Sequence, residues 1–261
     1  MSRERLVFEG TSGTGLAGLL DLPTEPPKAV ALFAHCFTCG KNSAAAVGIA
    51  RELIRQQIAV LRFDFTGVGA SEGDFADTTF GTNIGDLVCA AEHLREVLAP
   101  PTILIGHSLG GAAVLAGAGM IPEVRAVATI GAPAEPRHIE HLFSAEAAVI
   151  ESLGESTVRV GARQIRLRRE FVHDLRHQDQ MTRIAKLRRA LLIMHSPQDR
   201  VVGVDNARRI YDTAAHPKSF VCLDNADHLL TDRADATYCA RILATWARRY
   251  IDTESDRARG K

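Results

Sequence analysis

The chain has 261 residues, 46 % of them hydrophobic, and 31 basic side chains balance 31 acidic ones. That length and hydrophobic share suit one folded domain with a sizeable core and exclude a disordered chain. A net charge of zero argues against nucleic acid or an anionic membrane as the main partner, and 5 % aromatic content argues against a stacking platform for bases.

In chain order, Leu6–Phe8 and Leu16–Leu22 read as an opening hairpin around Thr11–Gly15. Ala29–Ala34 is an unbroken apolar run, the pattern of a buried parallel strand. Ala44–Gln56 has helical spacing, with Val47, Ala50, Leu53 and Ile54 on one face. Strand Ile58–Phe65, helix Thr82–Leu98, strand Thr102–Ile105 and a small-residue helix Leu109–Met120 come next. Val97–Pro122 carries no charged residue and is long enough to span a bilayer. Its prolines, glycines and His107–Ser108 mark it as the buried centre of a domain instead.

Strands Val124–Ile130, Ala190–Met194 and Ser219–Leu223 and helices Val204–Thr213 and Ala234–Ile251 continue the alternation. Such βα repetition predicts an α/β fold: a mostly parallel sheet with helices on both faces. One interval breaks the rhythm. Residues 134–187 hold a helix His138–Leu153, a hairpin Ser156–Val160 with Gln164–Arg168 around Gly161, and a helix Glu170–Leu187. They read as a cap inserted into a single domain. The tail Thr253–Lys261 is polar and is expected to fray.

The pattern G-x-S-x-G occurs twice, at Gly106–Gly110 and Gly69–Gly73. A nucleophile elbow comes straight off a strand, turns sharply and enters a helix. Ser108 meets that condition; Ser71 lies past the end of its strand, in loop chemistry. A serine hydroxyl needs a base and a third group to hold that base. Asp199 and His228 come after the last two predicted strands, where open α/β sheets bind ligands. Asp199 is assigned as the orienting acid, with Asp205 as its rival, and His228 as the base. The backbone N–H groups of Leu109 and Phe37 are the expected oxyanion donors, with Cys36 as an alternative to Phe37. His35, Cys36 and His107 are expected to border the substrate.

The five cysteines are odd in number and scattered, so no disulfide framework is expected. Met1–Gly10 lacks an apolar run, so the expected setting is the reducing cytoplasm. Yet Cys36 and Cys39 form C-x-x-C between a strand and a helix, the place of a thiol redox motif.

His35-Cys36-Phe37, the turn Asp64–Gly73, Gly106–Gly111, Asp199 and His228 together resemble the α/β-hydrolase superfamily over nearly the whole chain. More narrowly, His35–Asn42 and His216–Leu230 resemble the hydrolase domain that some bacteria fuse to an OsmC-like domain. Many relatives have His-Gly where this chain has His35-Cys36. The resemblance implies a serine esterase, with thioesterase or other acyl-hydrolase activity as close variants, acting through Ser108, His228 and Asp199 on a small-molecule ester, with neither metal nor cofactor. It also implies that Asp64–Gly73 is a structural loop. Two other classes stay open: a thiol redox protein using Cys36 and Cys39, and a catalytically silent scaffold. In the cap, Arg159, Arg163, Arg166, Arg168 and Arg169 read either as a recruiting surface for anions or as the solvated face of a hairpin. Phe143, Phe171 and Leu142 read as cap core or acyl-pocket lining. Oligomeric state and natural substrate are not written in the sequence.

Overall fold

The structure is a computed structural model that describes residues 1–37, 39–161 and 163–251. The tail Thr253–Lys261 lies outside the described residues. The chain opens with an antiparallel pair, β1 (Ser2–Glu9) and β2 (Gly15–Leu22). Six further strands complete the sheet: β3 (Ala29–Ala34), β4 (Ile58–Phe63), β5 (Ile103–His107), β6 (Ala126–Ile130), β9 (Ala190–His195) and β10 (Lys218–Cys222). The spatial order is β1-β2-β4-β3-β5-β6-β9-β10. From β4 to β10 all pairings are parallel.

The continuous apolar runs are explained by burial on both faces. In β3, Val30, Leu32 and Ala34 enter one core, while Ala29, Ala31 and Phe33 enter the other. The first core packs against α2 (Phe80–Val97), α3 (Leu109–Gly117) and α7 (Asp205–Thr213). The second packs against α1 (Ala44–Arg55) and α8 (Arg233–Ile251). The uncharged stretch Val97–Pro122 is thus the strand β5 and the helix α3. No helix among the described residues is long and apolar enough to cross a membrane.

From β3 the chain runs outward to β4 and then returns to β5 on the other side of β3. Such a reversal opens a crevice at the carboxyl ends of the two strands, here β3 and β5. Helix α2 begins two residues before the predicted start, because Thr79 and Thr82 form a reciprocal capping box. The usual signature carries Glu or Gln at the third helical position, and Thr82 conceals it.

The inserted segment holds a 3-10 turn Pro136–Phe143, α4 (Ala147–Leu153), the antiparallel pair β7 (Glu155–Val160) and β8 (Arg163–Arg168), α5 (Arg169–Arg176) and α6 (Gln180–Ala185). The predicted helix Glu170–Leu187 is two helices: α5 ends at Arg176 with His177 as its C-cap, and the Asp179 side chain caps α6 through the Thr182 amide. Helix His138–Leu153 is likewise split. Phe143, Val158, Leu167, Phe171 and Leu175 join Phe37, Leu109 and Ala113 in one apolar cluster, so the cap sits on the start of α3. Three cap arginines on the exposed face of the hairpin also reach the loops below it. Arg166 bonds Asp74 at 2.5 Å, Arg168 bonds Asp77, and Arg163 reaches the Cys39 carbonyl at 3.3 Å. They dock the hairpin onto the loops of the sheet.

Candidate active site

Ser108 stands between β5 and α3 with φ 55° and ψ −124°, a strained backbone for a residue with a side chain. Its amide donates to the Ile130 carbonyl at 2.9 Å. The flanking glycines are forced by contact. A Cβ at Gly110 would lie 2.3 Å from the Ala34 carbonyl oxygen, and one at Gly106 would lie 2.3 Å from that of Gly110. Helix α3 therefore packs against β3 more closely than a side chain permits. Ser71 is spent elsewhere: it donates to the Asp64 carbonyl at 2.6 Å and accepts from the Ala17 amide at 2.9 Å.

Ser108 Oγ lies 3.0 Å from His228 Nε2, and His228 Nδ1 lies 2.7 Å from Asp199 Oδ2. Asp199 comes after β9 and His228 after β10, so the sheet brings together groups 91 to 120 positions from Ser108 in sequence. The other Asp199 oxygen accepts from the Val201 and Val202 amides at 2.8 and 2.9 Å. Burial pushes the Asp199 carboxyl up, but the hydrogen bonds from His228, Val202 and Val201 outweigh it and leave the acid below its ordinary range. Asp199 is therefore ionised at neutral pH and holds the Nδ1–H tautomer of His228. Nε2 is then free to take the serine proton. Asp205, the rival acid, starts α7.

His107 is buried and turned away from the pocket. Its Nε2–H donates to the backbone carbonyl of His228 at 2.7 Å, so it braces the loop of the base instead of bordering substrate. Burial, with the nearby His228 adding to it, lowers its pKa to about 4, and Nδ1 has no partner among the described residues. His195 is fully buried as well. Its Nε2–H donates to the Val202 carbonyl at 2.7 Å, which steadies the amides that hold Asp199. Sequence reasoning missed both roles, because each depends on a backbone carbonyl brought in by another segment. It also missed Gly131 (φ +54°), where a Cβ would sit 3.2 Å from Asp199 Oδ2. A glycine just after β6, at the sheet's carboxyl edge, was the available signal.

Leu109 is the first residue of α3, so its N–H has no carbonyl within the helix. Across from it, Phe37, Cys36 and His35 line a cavity of about 10 Å³, completed by Phe65, Val68 and Phe75 among others. That volume holds roughly one water. The rings of Phe37, Phe75 and Phe171 meet beside it at centroid distances of 5.6 to 5.7 Å. His35 borders the cavity but is committed to holding the loop: Nδ1–H donates to the Cys36 carbonyl at 2.8 Å. Beneath the loop, Lys41 gives both its amide and its ammonium to Asp64, and buried Arg62 gives its guanidinium to Asp21 at 2.8 Å and to the Lys41 carbonyl. The Asp64–Gly73 turn thus anchors the segment that carries Phe37.

Cys36 and Cys39, the C-x-x-C pair, are joined by a disulfide, where a reducing setting was expected. Cys89, Cys222 and Cys239 are free. The bonded pair has no thiolate to offer a metal.

The sequence pattern of the family described as "Alpha/beta hydrolase family" matches residues 31–241. Among solved structures, the esterase domain of a Rhodothermus marinus protein is 47 % identical, with TM-score 0.81, covering 97 % of this chain and 100 % of that one. Mouse mitochondrial palmitoyl-protein thioesterase ABHD10 is 26 % identical over 185 residues, 68 % of this chain and 61 % of the mouse protein. The YfhR protein of Salmonella typhi is 25 % identical over 229 residues, 87 % of this chain and 74 % of its own.

Proposed function

Because the chain belongs to the alpha/beta hydrolase family, we propose that it is a serine hydrolase cleaving carboxylic esters of small acyl groups. The observation that carries this reading is the unbroken relay Ser108–His228–Asp199, at 3.0 and 2.7 Å, on a strained elbow. Ser108 Oγ attacks the ester carbonyl while His228 Nε2 takes its proton. The Leu109 and Phe37 N–H groups receive the charge that develops on the carbonyl oxygen. His228 then returns the proton to the leaving alcohol, and an acyl group stays on Ser108. A water, deprotonated by His228, releases the acid and restores the serine. Asp199 keeps its charge throughout and stabilises the imidazolium.

The cavity beside Phe37 is small, about 10 Å³, which favours short acyl chains. The esterase name of the Rhodothermus marinus structure supports the ester class. A thioester substrate is the second reading, favoured by the resemblance to the mouse thioesterase. The test is a panel of p-nitrophenyl esters and acyl thioesters of rising chain length, with fluorophosphonate labelling of Ser108. Activity that falls steeply beyond short acyl groups and vanishes in Ser108→Ala supports the reading. Full activity in Ser108→Ala sinks it. No turnover and no labelling would favour a silent scaffold.

A further inference from the structure

The Cys36–Cys39 disulfide closes a ring of four residues, and Phe37 lies inside that ring. We infer that Cys36–Cys39 is a thiol–disulfide exchange site, through which small thiols set the activity of the hydrolase. The inference rests on the serine-hydrolase reading, in which the Phe37 N–H is the second oxyanion donor.

Three observations place the exchange at the site of hydrolysis. Cys36 lines the cavity next to Leu109 and Gly110. The Cys36 carbonyl receives the Cys39 amide at 3.1 Å and Nδ1–H of His35 at 2.8 Å. On the far side, cap residue Arg163 donates to the Cys39 carbonyl at 3.3 Å, so the ring joins the oxyanion loop to the cap. The other three cysteines are free.

The two residues differ in exposure. Cys36 is buried at 3 % exposure, whereas Cys39 is only half-buried. A low-molecular-weight thiolate therefore attacks Cys39 Sγ. The Cys36–Cys39 bond breaks, a mixed disulfide forms on Cys39, and Cys36 leaves as a thiolate that picks up a proton. A second thiolate attacks the outer sulfur of the mixed disulfide and releases Cys39. Two external thiols become one external disulfide, and the protein gains two electrons and two protons. Opening the ring frees the peptide units around Phe37 that the bond had fixed. An oxyanion donor acts only if it is held in place before the charge develops, and losing one costs roughly 10²–10³ in rate. A loosened donor retains part of that, so reduction is expected to lower kcat by about 10- to 100-fold.

The test compares short-ester hydrolysis by wild type after treatment with glutathione disulfide and after treatment with dithiothreitol. Alkylation and peptide mass analysis count the free thiols at 36 and 39. The expected result is a fall in kcat on reduction, with KM within about two-fold, and recovery on reoxidation. Cys36→Ser/Cys39→Ser should sit at the reduced rate and ignore both reagents. Should that variant fold poorly by circular dichroism, the wild-type cycle and Cys39→Ser alone decide. Equal kcat in the two states, or a pair that stays reduced under glutathione disulfide, overturns the exchange site. Loss of hydrolysis and of fluorophosphonate labelling in both states would instead overturn the serine-hydrolase reading beneath it, and the inference with it.

Discussion

Replacing Asp199 by Asn tests the relay at the point where geometry is most constraining. One carboxylate oxygen is held by the Val201 and Val202 amides at 2.8 and 2.9 Å; the other faces His228 Nδ1 at 2.7 Å. In Asp199→Asn the side-chain carbonyl must keep the two backbone donors. Turning the amide over would set NH₂ against two N–H groups, each left unpaired at about 1–3 kcal/mol, or about 2–6 kcal/mol in all. The NH₂ therefore faces His228, whose Nδ1 must become an acceptor. The proton moves to Nε2, which then points at Ser108 Oγ and can no longer accept its hydrogen. The expected loss in kcat is about 10³–10⁴-fold, equivalent to roughly 4–5.5 kcal/mol, with KM little changed. The assay is steady-state hydrolysis of a short p-nitrophenyl ester, normalised to folded protein, alongside the rate of fluorophosphonate labelling. The matched change Asp205→Asn should leave kcat within a few-fold. A folded Asp199→Asn protein within tenfold of wild type would refute the tautomer assignment.

The same geometry makes three other outcomes measurable. His107→Phe leaves the His228 carbonyl without its donor, at about 1–3 kcal/mol, so Tm and kcat should both fall, kcat by about tenfold. His107→Gln, which can still donate, should recover part of each; an undiminished His107→Phe enzyme would show that the brace is idle. Gly131→Ala sets a Cβ 3.2 Å from Asp199 Oδ2 at a φ of +54°, so kcat should drop while circular dichroism keeps the wild-type spectrum. Unchanged kcat would mean that the Asp199–His228 pair tolerates displacement. Stability should also fall as pH is lowered, since burial holds His35, His107 and His195 below their ordinary value. The unfolded chain takes up these protons first, beginning near 6.5, and the His107 share is complete near its folded value of about 4. That share alone is worth about 3 kcal/mol. The lowered Asp199 and Asp64 carboxyls lose their stabilising effect only at pH below about 3.8. Urea midpoints measured from pH 7.5 to 4.5 should decline; a flat profile would contradict the buried neutral histidines.

The sheet and the three side chains that meet at its carboxyl edge, Ser108, His228 and Asp199, were legible before folding. Apolar runs such as Ala29–Ala34 and Ala190–Met194 have one stable environment, a parallel strand covered on both faces. The glycines around Ser108 record a close approach of α3 to β3, which leaves its mark wherever a side chain cannot fit. Strand ends locate Asp199 and His228 because the crevice of such a sheet lies at its carboxyl edge. Other features needed the folded chain. His107 and His195 end strands at that same edge, and only folding shows that both spend their N–H on backbone carbonyls. The basic hairpin of the cap read as a solvated or recruiting face, and only folding brings the exposed Asp74 and Asp77 within reach of Arg166 and Arg168. Cys36 and Cys39 were visible as a motif, but their union depends on how the loop turns between β3 and α1. Periodicity and steric exclusion are local and survive in the sequence. A hydrogen bond between distant segments has no local cost or pattern, and it exists only once the chain has brought its two ends together.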